Sequence, residues 1–375
     1  MRRWRYLGLM VMVAALAAGM FGGIWRDTVE ALASKPVAKY VSPERIEFVS
    51  YSTSWDQKKL QALYKELMKN KHGEELAYLG KVVLSDESGD EELGVANMSY
   101  SWTEDDMSDL YMDEPTEIVL YGADDYTTVE SMATTLSHEY GHHFTYYWLI
   151  KEERKLPSYP TTKWASLRGI KGQPVLFTDD TDAPDYSHYW DASEIMADDY
   201  MALFGSPTAK LRMVDSLRTE DGIGFYGEIE NEELVPVMTL AAVRNYWLKL
   251  SGIKDPLPLV LKEPKLKRIE TIKKKDGSVD HKLIYEAAST TAEVAARLQY
   301  IVYWENEEEE LFDFTAMTTG KQAILVPGGL PETELTLKVY AYDPKTKQYV
   351  YARPVVYDLT DPYAPALAGP YAKAG

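Results

Sequence analysis

Cysteine is absent from the chain, and its absence removes several chemistries at once. No disulfide can staple the fold, no thiolate can bind zinc, no cysteine nucleophile exists, and no lipid-modified cysteine can tether the chain. Positive charge is scarce as well: 40 Lys and Arg stand against 59 Asp and Glu, a formal net charge of −19. Nucleic acid is therefore not an expected partner, because neutralising phosphates takes a basic surface. Histidine is rarer still, with six in 375 residues, and His138, His142 and His143 fall within one short window. With 45% hydrophobic and 26% charged residues, the chain is globular and long enough for two or three domains.

The histidine window lies in the stretch from Thr127 to Trp148, which reads as a helix of about five turns. Thr127 with Glu130 three residues on has the form of a capping box. Val129, Met132, Leu136, Tyr140 and Tyr147 recur at helical spacing and form a core stripe. Ser131, Thr135, His138 and His142 lie roughly opposite, on a face expected to look into a cleft. His138-Glu139-Tyr140-Gly141-His142 is an H-E-x-x-H pattern. Residues four apart on a helix stand one above the other, so two imidazoles can meet a single Zn2+ at about 2.0–2.1 Å. Glu139, one step round, would reach the attacking water as general base. His143 points about 100° away from His142 and reads as a packing or supporting residue.

A catalytic zinc site needs a third protein ligand. The next strong helix, Asp191 to Phe204, offers one: Met196, Tyr200, Leu203 and Phe204 form its core stripe, and Gly205 with Pro207 ends it. Glu194 and Asp198 share one face, so Glu194 would complete the metal set. Asp198 would accept the outer N–H of a ligand histidine and fix its tautomer. Asp191 and Glu194 also stand at capping-box spacing, so Glu194 as a mere cap, with Asp191 or Asp199 as ligand, stays open. For a donor to the oxyanion, His188 is the first candidate, ahead of Tyr186, Tyr189 and Arg168. The acidic loop Thr178 to Asp185 lacks the ligand spacing of a calcium site and reads as surface.

H-E-x-x-H followed by E-x-x-x-D on a later helix resembles the gluzincin clan of zinc metallopeptidases, thermolysin-like in the broad sense. The resemblance implies that zinc is bound by His138, His142 and Glu194, that Glu139 activates water, and that Asp198 supports a ligand. It covers roughly residues 115–205. The gap from His142 to Glu194 is longer than in thermolysin itself, so the likeness is to the clan. Metzincins do not fit, since Thr145 stands where their Gly would be and Trp148 where their third His would be.

The flanks supply context. Three arginines before Tyr6 and an uncharged, mostly apolar run from Leu7 to Trp25 read as an export signal or a retained membrane anchor. Ala31-Leu32-Ala33 before Ser34 is acceptable to signal peptidase, and either outcome puts the remainder outside the cytoplasmic membrane. Residues 35–126 read as an α/β lobe, with a helix from Trp55 to Asn70 and strands at Lys81–Leu84, Val95–Trp102 and Glu117–Tyr121. The last of these, just ahead of the metal helix, is either an exposed edge able to pair with an extended peptide or an ordinary internal strand. Further helices are expected near Ala209–Arg218 and Glu232–Leu250.

From Asp255-Pro256-Leu257-Pro258 the composition changes, and seven short alternating runs between Leu266 and Tyr357 indicate an immunoglobulin-like sandwich. Tyr300–Trp304 and Thr336–Tyr342 resemble central strands of a fibronectin type III domain. Glu307–Glu310 is a charged turn, and the Pro-, Ala- and Gly-rich end is expected to be disordered. The expected fold class is α+β: a zincin-like, two-lobed metallopeptidase domain over 34–252, an all-β sandwich over 262–360 and a tail over 361–375. The expected function is hydrolysis of a peptide or protein substrate by an exported zinc enzyme, extracellular or on the outer face of the cytoplasmic membrane, touching the membrane only through an N-terminal anchor. The rival readings are a non-catalytic binding protein working through its sandwich and a zinc hydrolase acting on cell-wall peptides.

Overall fold

The computed structural model describes residues 35–88, 93–104, 106–210, 231–306, 311–314, 318–319, 323–326, 334–358, 361 and 366–370. The expected N-terminal signal, the charged turn at 307–310 and most of the helix near 209–218 lie outside the described residues. The architecture is α+β, and its contacts divide it into two units. The first holds the described residues up to 210 together with Tyr246–Lys254; the second holds 231–245 and everything described from Asp255 on. No helix among the described residues is long and apolar enough to cross a membrane.

The first unit is built on a five-stranded sheet of β1 (Ala38–Val41), β2 (Glu47–Ser50), β3 (Leu79–Leu84), β4 (Gly94–Ser101) and β5 (Tyr111–Leu120), in the order β1-β2-β3-β5-β4. Strands β2, β3 and β5 run parallel, while β1 and β4 are antiparallel to their neighbours. Parallel β2 and β3 need a crossover, and helix α1 (Gln57–Leu67) supplies it, capped by Asp56 and burying Leu60, Leu63 and Leu67. The strand containing Ile118 is internal, so of the two readings the ordinary strand is the one found; the edge beside it is β4. A strand lying between two others in sequence can still pair on the outside, and residue type alone does not fix that order.

Helix α2 (Val129–Glu153) crosses this sheet. Its cap is one residue later than the sequence pattern suggests. The Thr128 hydroxyl accepts from Ser131 N at 3.0 Å and the Ser131 hydroxyl accepts from Thr128 N at 3.2 Å, a box in which Glu130 takes no part. The expected cleft face is found in part: Ser131, Thr135 and His138 are partly exposed while His142 is buried, and from Leu136 to Ile150 every residue but His138 is buried. Over that stretch the helix is the core of its unit, open only at the first histidine of the motif. Helix α3 (Lys163–Arg168) follows, and then α4 (Ala192–Phe204), which lies directly on α2. Gly141 permits the approach, since a Cβ there would stand 2.7 Å from the Ala197 carbonyl oxygen. Below that crossing Phe144 packs on Tyr200 at 4.7 Å, Trp247 at 5.7 Å and Phe204 at 6.1 Å between ring centres.

In the second unit, β6 (Leu266–Lys273), β7 (Val279–Tyr285) and β11 (Ala323–Val326) form one sheet in the order β11-β7-β6. The other has the order β10-β8-β12-β13-β14, from β8 (Gln299–Asn306), β10 (Thr318–Thr319), β12 (Glu334–Asp343), β13 (Gln348–Asp358) and β14 (Ala366–Pro370), with β9 (Leu311–Phe314) also on β8. Strand β7 alternates as expected, burying Val279, His281, Leu283 and Tyr285. The tail expectation is overturned at Ala366–Pro370, which pairs with β13. Edge pairing uses backbone groups, so a Pro- and Ala-rich composition does not betray it, and Pro370 sits at the strand end where a missing N–H is tolerated. The helix expected over Glu232–Leu250 is interrupted: Pro236 precedes a 3-10 turn at Val237–Thr239, and α5 (Ala241–Ser251) begins only after it. Asn231 and Leu234 carbonyls accept from the Tyr351 hydroxyl, which ties this segment to the β unit.

Candidate metal centre

Helical spacing brings His138 and His142 together on α2, with their rings 4.9 Å apart and both Nε2 atoms turned to one point, 3.2 Å from each other. Helix α4 brings Glu194 to the same point, its Oε2 lying 3.1 Å from His138 Nε2 and 3.2 Å from His142 Nε2. The three ligand atoms all lie within 4.8 Å of one another, a group that could hold a metal ion. A tetrahedral ion with nitrogen and oxygen ligands at about 2.0–2.1 Å separates those atoms by about 3.3–3.4 Å. The edges found here are that long to within a few tenths of an ångström, so the donor set fits such an ion in chemistry and in spacing.

Behind the ligands, His138 Nδ1 lies 2.9 Å from Asp198 Oδ1. A carboxylate oxygen accepts, so Nδ1 donates to Asp198 and Nε2 is the nitrogen turned toward Glu194 and His142. Burial disfavours charge on His138, but its bonds to Asp198 and Glu194 outweigh that and raise its pKa well above the usual imidazole value. His142 is likewise raised by Glu194 against the effect of burial. Burial alone would push Glu194 up, and the two histidines instead hold it well below the ordinary carboxylate range. Two imidazole nitrogens and carboxylates converging in a largely buried place favour positive charge there, whether carried by protons or by an ion.

Asp191 and Asp199 are not ligands. Asp191 caps α4, accepting from Ser193 N at 2.6 Å. Asp199 accepts from Trp164 Nε1 at 2.9 Å and Arg168 Nε at 3.0 Å, which pins α3 to α4. That engagement also takes Arg168, buried at 4% exposure, out of the running as an oxyanion donor. His188 does come to the site, with Nε2 3.4 Å from Glu194 Oε2 and its side chain 41% exposed. His143 is a packing residue, with Nδ1 2.8 Å from Thr116 Oγ1 and Nε2 2.8 Å from the Glu75 carbonyl, and burial pushes its pKa down to about 4. Glu139 is 5% exposed and stands against the edge strand: a Cβ on Gly94 would come within 2.8 Å of its Cγ and Oε1.

Residue types alone did not flag Glu75 or Gly94. The buried Glu75 carboxylate, on a 3-10 turn at Glu74–Tyr78, accepts from Tyr140 at 3.0 Å, Trp148 at 2.9 Å and its own turn at Gly73. It thereby fixes the inner face of α2. The available signal was the pair Glu74-Glu75 between Gly73 and the apolar run from Leu76, too slight to separate from an ordinary turn. No protein-family model matches this chain, and comparison with curated proteins finds no relative.

Proposed function

We propose that the chain is a zinc-dependent peptidase of gluzincin type whose site is His138, His142, Glu194 and Glu139. The observation that carries this reading is the meeting of His138 Nε2, His142 Nε2 and Glu194 Oε2 at mutual distances of 3.1–3.2 Å, with Asp198 behind His138. A His2Glu set leaves a fourth position open, the arrangement of catalytic rather than structural zinc. Bound zinc would supply a Lewis acid for the scissile carbonyl and lower the pKa of the attacking water. Glu139 takes the proton of that water and returns it to the leaving amine. His188, beside Glu194, donates toward the oxygen that becomes negative. Edge strand β4, whose first residue Gly94 lies against Glu139, offers its main chain to an extended substrate.

The second unit is read as an immunoglobulin-like sandwich of fibronectin type III pattern. Its strand orders β11-β7-β6 and β8-β12-β13 support this, because they correspond to the first, second and fifth strands in one sheet and the third, sixth and seventh in the other. Export rests on the apolar run from Leu7 to Trp25. The test is zinc content and peptide-library cleavage, read by mass spectrometry, for the wild type and Glu139→Gln. About one zinc per chain in both proteins is expected, with cleavage lost in the variant by at least a factor of about 100. Zinc without cleavage in the wild type would turn the assignment toward a binding protein, and absence of zinc would overturn the site.

A further inference from the structure

Strand β4 runs along α2 at the edge of the sheet. Its first residue, Gly94, lies against Thr135 and Glu139, and Tyr100 further along stacks on Tyr146, two helical turns after Glu139, at 6.4 Å. The strand therefore meets the H-E-x-x-H motif at a residue without a side chain. Backbone freedom is not the reason for glycine at this place. The glycines with positive φ among the described residues are Gly122, Gly169, Gly172, Gly252 and Gly277, whereas Gly94 pairs with Leu120 as an ordinary strand residue does. What Gly94 contributes is room, the other use of glycine inside a strand. A Cβ there would stand 2.8 Å from each of three atoms, Glu139 Cγ, Glu139 Oε1 and Thr135 Cγ2. Other crowded glycines meet packing groups instead: Gly80 lies against Pro115, and Gly141 against the Ala197 backbone.

The surroundings of Gly94 decide which group would yield to an added methyl. The strand is held from behind, because Tyr121 N donates to the Leu93 carbonyl at 2.9 Å and Val95 and Ala96 continue the pairing to Val119 and Ile118. Ala96, Ile118 and Leu120 are buried, which leaves β4 no space to retreat. The helix is held as firmly, since Leu136 and Tyr140 on either side of Glu139 are fully buried. Thr135 is β-branched and has few rotamers open to it in a helix. The Glu139 carboxylate ends a longer, more flexible side chain, so it is the group that gives way.

We propose that Gly94 is a positioning residue for Glu139: the carboxylate rests in the space that a side chain at 94 would fill, and the β4 backbone thereby fixes its place beside His138. The consequence for cleavage rests on the peptidase reading; the placing of the carboxylate does not. A general base has to be held close to its productive geometry, and a misplacement of about 1 Å can cost about 100-fold in rate.

The test is Gly94→Ala in the full chain, read in three ways. A crystal structure of the variant should show the Glu139 carboxylate displaced by about 1 Å or more, with the β4 and α2 backbones in their wild-type places. Zinc content should stay at about one per chain and the thermal melt should stay cooperative. On a peptide found by library cleavage, kcat should fall by about 10- to 100-fold while KM changes by less than about threefold, the pattern of a lost transition-state interaction. A carboxylate left in its wild-type place would overturn the proposal. So would a variant that shifts β4, loses zinc or fails to fold, because the strand rather than the carboxylate would then have given way. A rise in KM alone would put Gly94 in substrate binding and overturn it as well. The two readings separate in the wild type. Cleavage by the wild type and equally by Gly94→Ala removes the positioning role and leaves the peptidase, whereas a displaced carboxylate in a protein whose wild type cleaves nothing keeps the placement and removes the peptidase.

Discussion

Single residues set the geometry of the candidate metal site, and its closest tolerance is at Gly141. Glu194 reaches the two imidazoles only because α4 lies on the backbone of α2, and a Cβ at 141 would meet the Ala197 carbonyl at 2.7 Å and its Cα at 3.0 Å. Gly141→Ala should therefore push the helices apart, lowering stability by about 1–3 kcal/mol. Because Glu194 moves with α4, zinc affinity should fall by about tenfold or more, as it does when a ligand's support is lost. Competition with a chelator and a urea melt measure the two effects separately, and unchanged zinc affinity would sink the argument. Asp179 gives a second residue-scale prediction. Its folded pKa of about 6 is above the unfolded value of about 3.9, so the fold favours its protonated form. Stability is thus fullest below the unfolded value and declines as pH rises through 6. Asp179→Asn cannot ionise, so relative to wild type it should gain about 1–2 kcal/mol between pH 4.5 and pH 8, partial exposure having reduced the full shift of about 3. Urea melts at the two pH values check this. At this scale the helical period fixed which residues share a face, His138 with His142 and Glu194 with Asp198, and the meeting of the two pairs across two helices is what the motif resemblance implied. It was silent on Glu75, whose partner Tyr140 is 65 residues away.

Among the elements, α2 is held by polar contacts as much as by its apolar side chains. Glu75 accepts from Tyr140 and Trp148 on that helix, and the neighbouring His143 reaches the Glu75 carbonyl, so one short turn grips three successive levels of α2. Glu75→Ala would leave the Tyr140 hydroxyl, the Trp148 N–H and the Gly73 N–H facing a buried gap. Each such group costs about 1–3 kcal/mol, so a loss of about 3 kcal/mol or more is expected in a urea melt. Glu75→Gln, which keeps an accepting oxygen, should lose less; an equal loss would mean that charge rather than hydrogen bonding matters there. The existence of the long elements was legible, since α2, α4 and the principal strands follow from apolar period. Their neighbours were not. Strand β4 takes the edge that the pattern offered equally to β5, Thr128 rather than Thr127 caps α2, and Pro236 divides what periodicity joined. Each depends on backbone pairing or one bond's geometry, which residue type only weakly constrains.

For the whole molecule, chain order and spatial order part company after residue 210. The composition change at Asp255 marks the start of the β unit's main body, but Tyr246–Lys254 belongs with the unit that holds the candidate metal site and 231–245 with the other. A boundary read from composition cannot see a segment that leaves and returns. The returning piece has a definite task in the first unit. Trp247, fully buried, packs on Phe144 in the same helix that carries His142, and the Tyr246 hydroxyl donates to Glu153 Oε1 at 2.6 Å at the end of that helix. The Ser251 carbonyl lies close against Gly73, next to the turn that holds Glu75. Trp247→Ala in the full chain should thus cost about 3–5 kcal/mol by opening a cavity under α2. A chain ending after Lys254 keeps that helix cover and should still bind about one zinc with the affinity of the full chain, whereas one ending at residue 245 should lose the site. Zinc stoichiometry by atomic absorption on the two truncations decides the point. Equal binding by both would show that the metal site stands without the returning segment, and binding by neither would show that it depends on the β unit as well.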